Sequence, residues 1–288
     1  MARKSVLITG CSDGGIGSAL ASEFQRRGLH VFATARTMSK MSLLEELPDV
    51  TLVSLDVTSC TSISAAVEVI KQATGGSLDY LVNNAGIGYV MPTLDVEITE
   101  AKKVFDVNLW GVLAVTQAFA PLVIAAKGSI VNISSVGGAI YPPWLGIYTA
   151  SKSALTTMTE TLRLEMAPFG VNVLTVMSGT VDSNFFRNSP AHRLPSTSRY
   201  VSAEKSIAAR ARGEDIQDGM TGQKYAERVV NDILQGVYGK VWRGKLASVV
   251  RYSSIFLPTY ILDRLLLKGS GLETFPHQAS KLKCGTVQ

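Results

Sequence analysis

Residues Ser5 to Thr9 form a short run whose centre, Val6-Leu7-Ile8, is wholly apolar. It leads directly into Gly10-Cys11-Ser12-Asp13-Gly14-Gly15-Ile16-Gly17, and a helical pattern follows with Ile16, Leu20 and Phe24 on one face. Strand, glycine loop and helix in that order narrow the possible folds more than any other stretch of the chain. Glycines let the main chain approach a pyrophosphate closely, and the start of the helix offers it free N–H groups and a positive dipole end. A glycine cluster alone has a plainer explanation, because turns take glycine for conformational reasons. The flanking strand and helix are what give this one weight. Within it Gly10, Ser12, Gly15 and Ile16 are the candidate pyrophosphate contacts.

The same alternation continues. Apolar runs at Leu29 to Ala35, Thr51 to Leu55, Leu78 to Val82, Ser129 to Ile133 and Val171 to Val176 read as strands, with helical patterns between them. That spacing predicts an α/β chain with right-handed crossovers and a parallel sheet covered on both faces, so a ligand belongs at the carboxyl ends of the strands. The 288 residues suffice for one such domain. Every stretch with chemical promise lies at a predicted strand end. After the second strand comes Ala35-Arg36, where an acid would bind the ribose hydroxyls of NAD; an arginine there suits the 2′-phosphate of NADP, and a solvated surface arginine is the competing reading. The third ends in Asp56-Val57, where the carboxylate can accept from the adenine amine or cap the helix that starts near Cys60. The fourth ends in Asn83-Asn84-Ala85-Gly86, amides suited to holding an irregular loop beside small residues that leave room for a cofactor. A long helix is predicted from Thr99 to Ala126, and Asn108 and Gly111 are poor choices for its interior. Asn108 therefore marks either a functional kink that lets a carbonyl or water reach Lys152, or a tolerated polar residue.

The fifth strand leads to Ser134-Ser135 and then to a helix carrying Tyr148 and Lys152 one turn apart. A free phenol, with pKa near 10, is a poor acid at neutral pH until a cation stabilises its phenolate, and Lys152 is placed to do that. Tyr148 would exchange a proton with a substrate oxygen that Ser135 holds by a hydrogen bond. A Tyr and a Lys four apart also occur by chance, so the convergence with the upstream motifs carries the reading.

Taken together, Thr9-Gly10 with its glycine cluster, Asp56, Asn83-Asn84-Ala85-Gly86, Asn108, Ser135, Tyr148 and Lys152 resemble the short-chain dehydrogenase/reductase family from Lys4 to about Ser183. The thirteen-residue step from Ser135 to Tyr148 is the family's usual one and selects Ser135 over Ser134. The resemblance implies a single Rossmann-like doubly wound sheet of about seven strands. It also implies transfer of the 4-pro-S hydride between NADPH and a carbonyl carbon, with Asn108, Ser135, Tyr148 and Lys152 as the catalytic set. Tyr148 and Lys152 would also contact the cofactor, as would Gly179, Val181 and Ser183 after the sixth strand. Two departures stand out. The glycine loop is one residue longer than usual and holds Asp13, whose carboxylate must point away from a phosphate. The family's Pro-Gly after the sixth strand is here Ser178-Gly179. The family's usual dimer surface implies a homodimer or homotetramer.

The remainder of the chain bears on the substrate. Residues 184–223 form a long polar connection, expected to act as a substrate lid, and a helix from Lys224 to Leu234 and a short strand near Val241 to Gly244 follow. Leu246 to Leu267 is strongly apolar, yet Arg251, Pro258, Asp263 and Arg264 interrupt it, which disfavours a transmembrane span. A pair of amphipathic helices that caps the pocket or lies on a lipid surface fits better, within a C-terminal extension over 246–275. Phe275 to Gln288 reads as a loose tail. This ending resembles fungal and yeast 1-acyldihydroxyacetone-phosphate reductases, which implies a bulky apolar ketone such as an acyl ketone phosphate. Related fungal reductases act on secondary metabolites instead. Arg187, Arg193 or Arg199 could meet a substrate phosphate, or could simply be solvated. A non-catalytic NADPH-binding scaffold or a non-redox cyclase is the alternative of another class.

Composition excludes some roles. A net charge of +5 without a long basic run gives no reason to expect nucleic acid as a partner. Cys11, Cys60 and Cys284 fit neither a zinc nor a disulfide pattern, so no metal is expected, and a reducing, cytoplasmic location is. The strand at Lys4 leaves no room for a targeting segment. Peripheral attachment to endoplasmic reticulum or lipid droplets is compatible with the apolar C-terminal stretch.

Overall fold

The computed structural model describes residues 3–186, 193–215 and 218–275. Chain order is β1 (Ser5–Thr9), α1 (Ile16–Arg26), β2 (His30–Ala35), α2 (Ser42–Glu45), β3 (Val50–Ser54), α3 (Cys60–Thr74) and β4 (Tyr80–Asn83). Next come α4 (Ile98–Phe105), α5 (Val112–Ala126), β5 (Ser129–Ser135), α6 (Gly146–Met166), β6 (Asn172–Ser178) and β7 (Val181–Asp182). The chain continues through α7 (Glu204–Arg212), β8 (Met220–Thr221), α8 (Gly222–Leu234), β9 (Gly239–Arg243), α9 (Ala247–Phe256) and α10 (Thr259–Leu267).

Seven strands pair in the order β3-β2-β1-β4-β5-β6-β9, and every pairing is parallel. Period-two alternation sends neighbouring residues to opposite faces. Val6 and Ile8 join Leu20 and Phe24 of α1 and Tyr225 and Val229 of α8 on one side. Leu7 joins Ile63 and Ile70 of α3 and Val115 and Phe119 of α5 on the other. Both faces are dry, which is why the central strands read as continuous apolar runs.

The predicted helix over Thr99 to Ala126 is continuous but not uniform. Residues Asp106–Gly111 form a π-helical turn between α4 and α5, so the kink expected at Asn108 takes the form of a widened turn. The connection over 184–223 is more structured than its polar composition predicts. It contains α7, and its β8 pairs in parallel with β7 as a separate two-stranded sheet. Ile207 and Ala203 anchor that region by packing on Trp144 and Leu145. Leu246 to Leu267 forms the expected helix pair, α9 and α10. Arg187 and the tail over 276–288, including Cys284, lie outside the described residues.

Phe119 is fully buried at the centre of the α5 layer. Phe119→Ala should therefore cost about 3–5 kcal/mol of stability, measurable by urea or thermal unfolding. A cost below about 1 kcal/mol would mean that this layer is not the tightly packed one described.

Candidate active site

Two strand ends are stitched together before any ligand-binding group is considered. The Thr9 Oγ1 accepts from the Asn84 and Ala85 amides at 2.9 and 3.0 Å, and the Asn84 side chain donates to the Thr9 and Gly10 carbonyls at 2.8 and 3.0 Å. The approach is so close that a Cβ on Gly10, whose φ is +74°, would stand 2.8 Å from the Ala85 Cα. Glycine is required there for both space and conformation. Asn83, by contrast, points away from the loop and donates to Thr116 and Asn132 inside the protein.

The N-terminus of α1 opens onto this junction. Gly15 is its N-cap, no side chain caps it, and the first turn holds no acid. Its orphan N–H groups and dipole suit an anion. Asp13 is turned away, accepting from the Ser42 hydroxyl at 2.7 Å and the Leu43 amide at 3.2 Å. Asn184 clamps the loop from the far side, its amide donating to the Gly14 carbonyl and its side chain to that of Asp13. Sequence reasoning missed Asn184; its place directly after Ser183 was the available signal.

Arg36 is exposed at the end of β2, close enough to Asp56 to act on its carboxyl. Desolvation raises the Asp56 pKa, but the hydrogen bonds from Thr58 and the Arg36 charge outweigh it, so the group stays below its ordinary value. Asp56 does not cap α3; Ser59 does, accepting from the Ser62 amide at 3.3 Å, while Asp56 bonds Thr58. Its neighbour Val57 packs against Gly111 of the π turn, which has no room for a Cβ.

Asn108 is fully buried, and both ends of its side-chain amide are engaged. Its Oδ1 accepts from the Ile87 amide at 2.9 Å, and its Nδ2 donates to the Ile87 carbonyl and the Ser151 hydroxyl, both at 3.0 Å. It thus ties the loop after β4 to α6. A Cβ built on Gly86 would lie 3.3 Å from Asn108 Oδ1 and 3.5 Å from Lys152 Nζ, so these three residues meet. Lys152 donates to the Ile133 carbonyl at 3.0 Å. Burial holds its pKa down to about 8.

Ser135 ends β5, and its Oγ accepts from the Gly137 amide at 3.0 Å. The Tyr148 hydroxyl hydrogen-bonds Ser135. Burial raises the Tyr148 pKa, and the Ser135 bond offsets only part of that rise. The expected lowering by Lys152 is therefore not what this geometry gives, because desolvation dominates and the ammonium is engaged with Ile133. Phe185 covers the phenol with its ring centroid 5.7 Å away, and Phe186 meets Phe185 edge-on at 5.3 Å.

At the end of β6, Ser178 and Tyr225 share a buried 2.5 Å hydrogen bond that ties the strand to α8. Gly179, next in sequence, donates to the Arg243 carbonyl at 2.8 Å and is packed so closely by the Lys245 carbonyl that no side chain fits. Arg243 in turn makes a bidentate pair with Asp232, both contacts at 2.7 Å. Val181 is held in β7, and Ser183 follows it toward the glycine loop.

An open helix start beside a glycine-pinned loop, at the crevice of a parallel doubly wound sheet, defines a dinucleotide-binding oxidoreductase. A family model described as short chain dehydrogenase matches residues 4–194, and the chain belongs to the short-chain dehydrogenase/reductase family, whose members use NAD or NADP. It is 52% identical over 272 residues to the short-chain dehydrogenase ptmH of Penicillium ochrochloron, covering 94% of this chain and all (100%) of that one. It is 35% identical over 286 residues to the NADPH-dependent 1-acyldihydroxyacetone phosphate reductase of Schizosaccharomyces pombe, covering 93% and 95% of the two chains. A short chain dehydrogenase from Burkholderia cenocepacia, solved in complex with NADP, superposes with a TM-score of 0.72 at 26% identity, covering 92% and 98%.

Lys152 at about 8 and Tyr148 above its usual 10 predict which group sets the alkaline limb of activity. For ketone reduction, kcat/KM should fall above about pH 8 as the ammonium loses its proton, about tenfold per pH unit. In Lys152→Arg, whose guanidinium stays charged, that limb should leave the measurable range. A limb unmoved in the variant would assign it elsewhere.

Proposed function

We propose that this protein is an NADPH-dependent reductase of a bulky apolar ketone, with Tyr148 as proton donor. The observation that carries the reading is the Tyr148–Ser135 hydrogen bond at the crevice, with Lys152 and Asn108 meeting behind it at Gly86. The bound nicotinamide supplies the hydride. Everything else falls to the chain. The Ser135 hydroxyl orients the carbonyl oxygen, and the Tyr148 hydroxyl gives that oxygen its proton. Lys152, kept cationic below about pH 8 and fixed on the Ile133 carbonyl, would hold the nicotinamide ribose. Asn108 fixes the Ile87 loop and Ser151, so that a water can lead protons from solvent.

The choice of NADPH rests on Arg36 following apolar Ala35, and it agrees with the names of the yeast reductase and the Burkholderia complex. Gly10, Ser12, Gly15 and Ile16 would hold the pyrophosphate, Asp56 and Val57 the adenine, and Asn84, Ala85 and Gly86 the space beside the ribose. Gly179, Val181 and Ser183 would meet the nicotinamide amide.

Among ketones, a fungal secondary-metabolite substrate is favoured over 1-acyldihydroxyacetone phosphate. Identity to the Penicillium dehydrogenase is 52%, against 35% to the yeast reductase. The residues beside Tyr148 also favour a carbon-rich guest without a phosphate. Phe185 lies on the phenol, Trp144 and Leu145 form a buried cluster next to it, and Arg193 and Arg199 are exposed. A homodimer or homotetramer is part of this reading, supported by the large apolar side chains of Ile98, Trp110 and Leu164 left exposed on the long helices.

Tyr148→Phe should lower ketone reduction at least 10²–10⁴-fold while NADPH binding, followed by fluorescence, stays within about twofold. Near-normal turnover would reject the assignment. Arg36→Ala should weaken NADPH by roughly 10- to 100-fold and leave NADH unchanged, as expected for one charged hydrogen bond to a phosphate. An unaltered NADPH to NADH preference would remove Arg36 from the site.

A further inference from the structure

The helix pair at the C-terminal end buries Leu262 of α10 but leaves much of its apolar surface, above all on α9, facing outward. On α9 the residues turned toward the protein include Ala247, Ser253 and Ser254, whereas Val249, Ile255 and Phe256 are 61%, 64% and 73% exposed. Leu246, Tyr252, Tyr260 and Leu265 are also more than half exposed. A surface helix of a globular protein ordinarily hides this face. A contiguous apolar face of this kind marks an interaction surface.

The charges on the same stretch identify what it meets. Between 245 and 268 stand Lys245, Arg251, Arg264 and Lys268 against a single acid, Asp263. Lys245 already has a partner in Asp218, at 3.9 Å. Asp263 is only partly exposed and sits against the Tyr141 phenol. Arg251, Arg264 and Lys268 are exposed. Arg251 lies over the Tyr252 ring at 5.7 Å, and Tyr252 stacks on Phe256 at 6.4 Å with the rings 17° apart. Aliphatic and aromatic groups flanked by guanidinium and ammonium groups match the acyl boundary and head groups of an anionic bilayer. A second copy fits poorly, because a two-fold contact would set this cationic face against itself.

The position of the patch gives it a purpose. Ala247 packs on Gly179, and α9 touches the Val136–Gly138 turn that follows Ser135. Beyond α10, the Ser270 carbonyl accepts from the Trp144 indole at 2.9 Å. Both ends of the helix pair are thus fastened to loops that frame the candidate active site.

We infer that the outer face of α9 and α10 seats the protein on an anionic membrane surface beside the active-site mouth, where a membrane-dissolved ketone can enter. The membrane contact stands apart from the ketoreductase reading, since vesicle binding is measured without turnover. The full-length protein is sedimented with phosphatidylcholine vesicles, with and without phosphatidylserine, at low and high salt. Binding should require phosphatidylserine and weaken with salt. It should fall at least tenfold in the Val249→Ser, Ile255→Ser, Phe256→Ser triple variant, with unchanged mass in solution. Arg251→Gln with Arg264→Gln should lose most of the phosphatidylserine preference. Failure of the wild-type protein to bind phosphatidylserine vesicles would overturn the inference. So would a triple variant that binds normally, or one that converts a larger oligomer into a smaller one, which would show a second copy on this face.

Discussion

All seven strands of the main sheet run parallel, so every β-to-α connection leaves it at the same edge. The order β3-β2-β1-β4-β5-β6-β9 reverses direction between β1 and β4, which leaves the loops after those two strands facing each other across a crevice. The protein closes the floor of that crevice with the Thr9 and Asn84 hydrogen bonds, and glycine at position 10 is the condition for their contact. The other groups of the site are then positioned relative to this floor. Asn108 reaches it through Ile87, Lys152 through Gly86, and Asn184 through the carbonyls of Asp13 and Gly14.

The chemistry of the site follows from its dryness. Burial disfavours the charged form of both titratable members, raising Tyr148 and lowering Lys152 to about 8, so two groups that titrate close together as free side chains are driven apart, with the ammonium losing its proton first. The same desolvation weakens the simplest account of Lys152, in which its charge alone acidifies the phenol. Here its ammonium bonds the Ile133 carbonyl, and the Ser135 hydroxyl is the group that eases the rise at Tyr148.

The fold was legible because both sheet faces are buried: continuous apolar strands and amphipathic helices alternate without ambiguity, and motif residues fall at strand ends. Boundaries shifted by only a residue or two, as at β2, which starts at His30 rather than Leu29. The site was less legible wherever a side chain acts across sequence distance. Nothing local reveals that Tyr225, 47 positions away, would secure Ser178. Asn83 and Asn84 look alike in sequence, but strand alternation sends one into the helical layer and the other onto the Thr9 loop. The polar stretch over 184–223 concealed α7 because its few apolar residues, such as Ile207, gain their burial from Trp144 and Leu145, which are remote in the chain.

That last contact separates two kinds of requirement on one scaffold. Hydride and proton transfer need fixed geometry, and the groups assigned to them sit on the sheet edge and on α6, pinned by buried hydrogen bonds. Selection of a guest is left to segments held mainly by apolar contact: Phe185 on Tyr148, Tyr200 on Trp144 at 5.3 Å, and Leu272 in the same cluster. Contacts of this kind are non-directional, so their side chains can be exchanged for others of similar volume without moving the Tyr148 hydroxyl. The Trp144 indole is the exception. Its bond to Ser270 is directional and joins the C-terminal segment to the loop preceding α6, so a change in how α10 is seated is felt one short loop away from the proton donor.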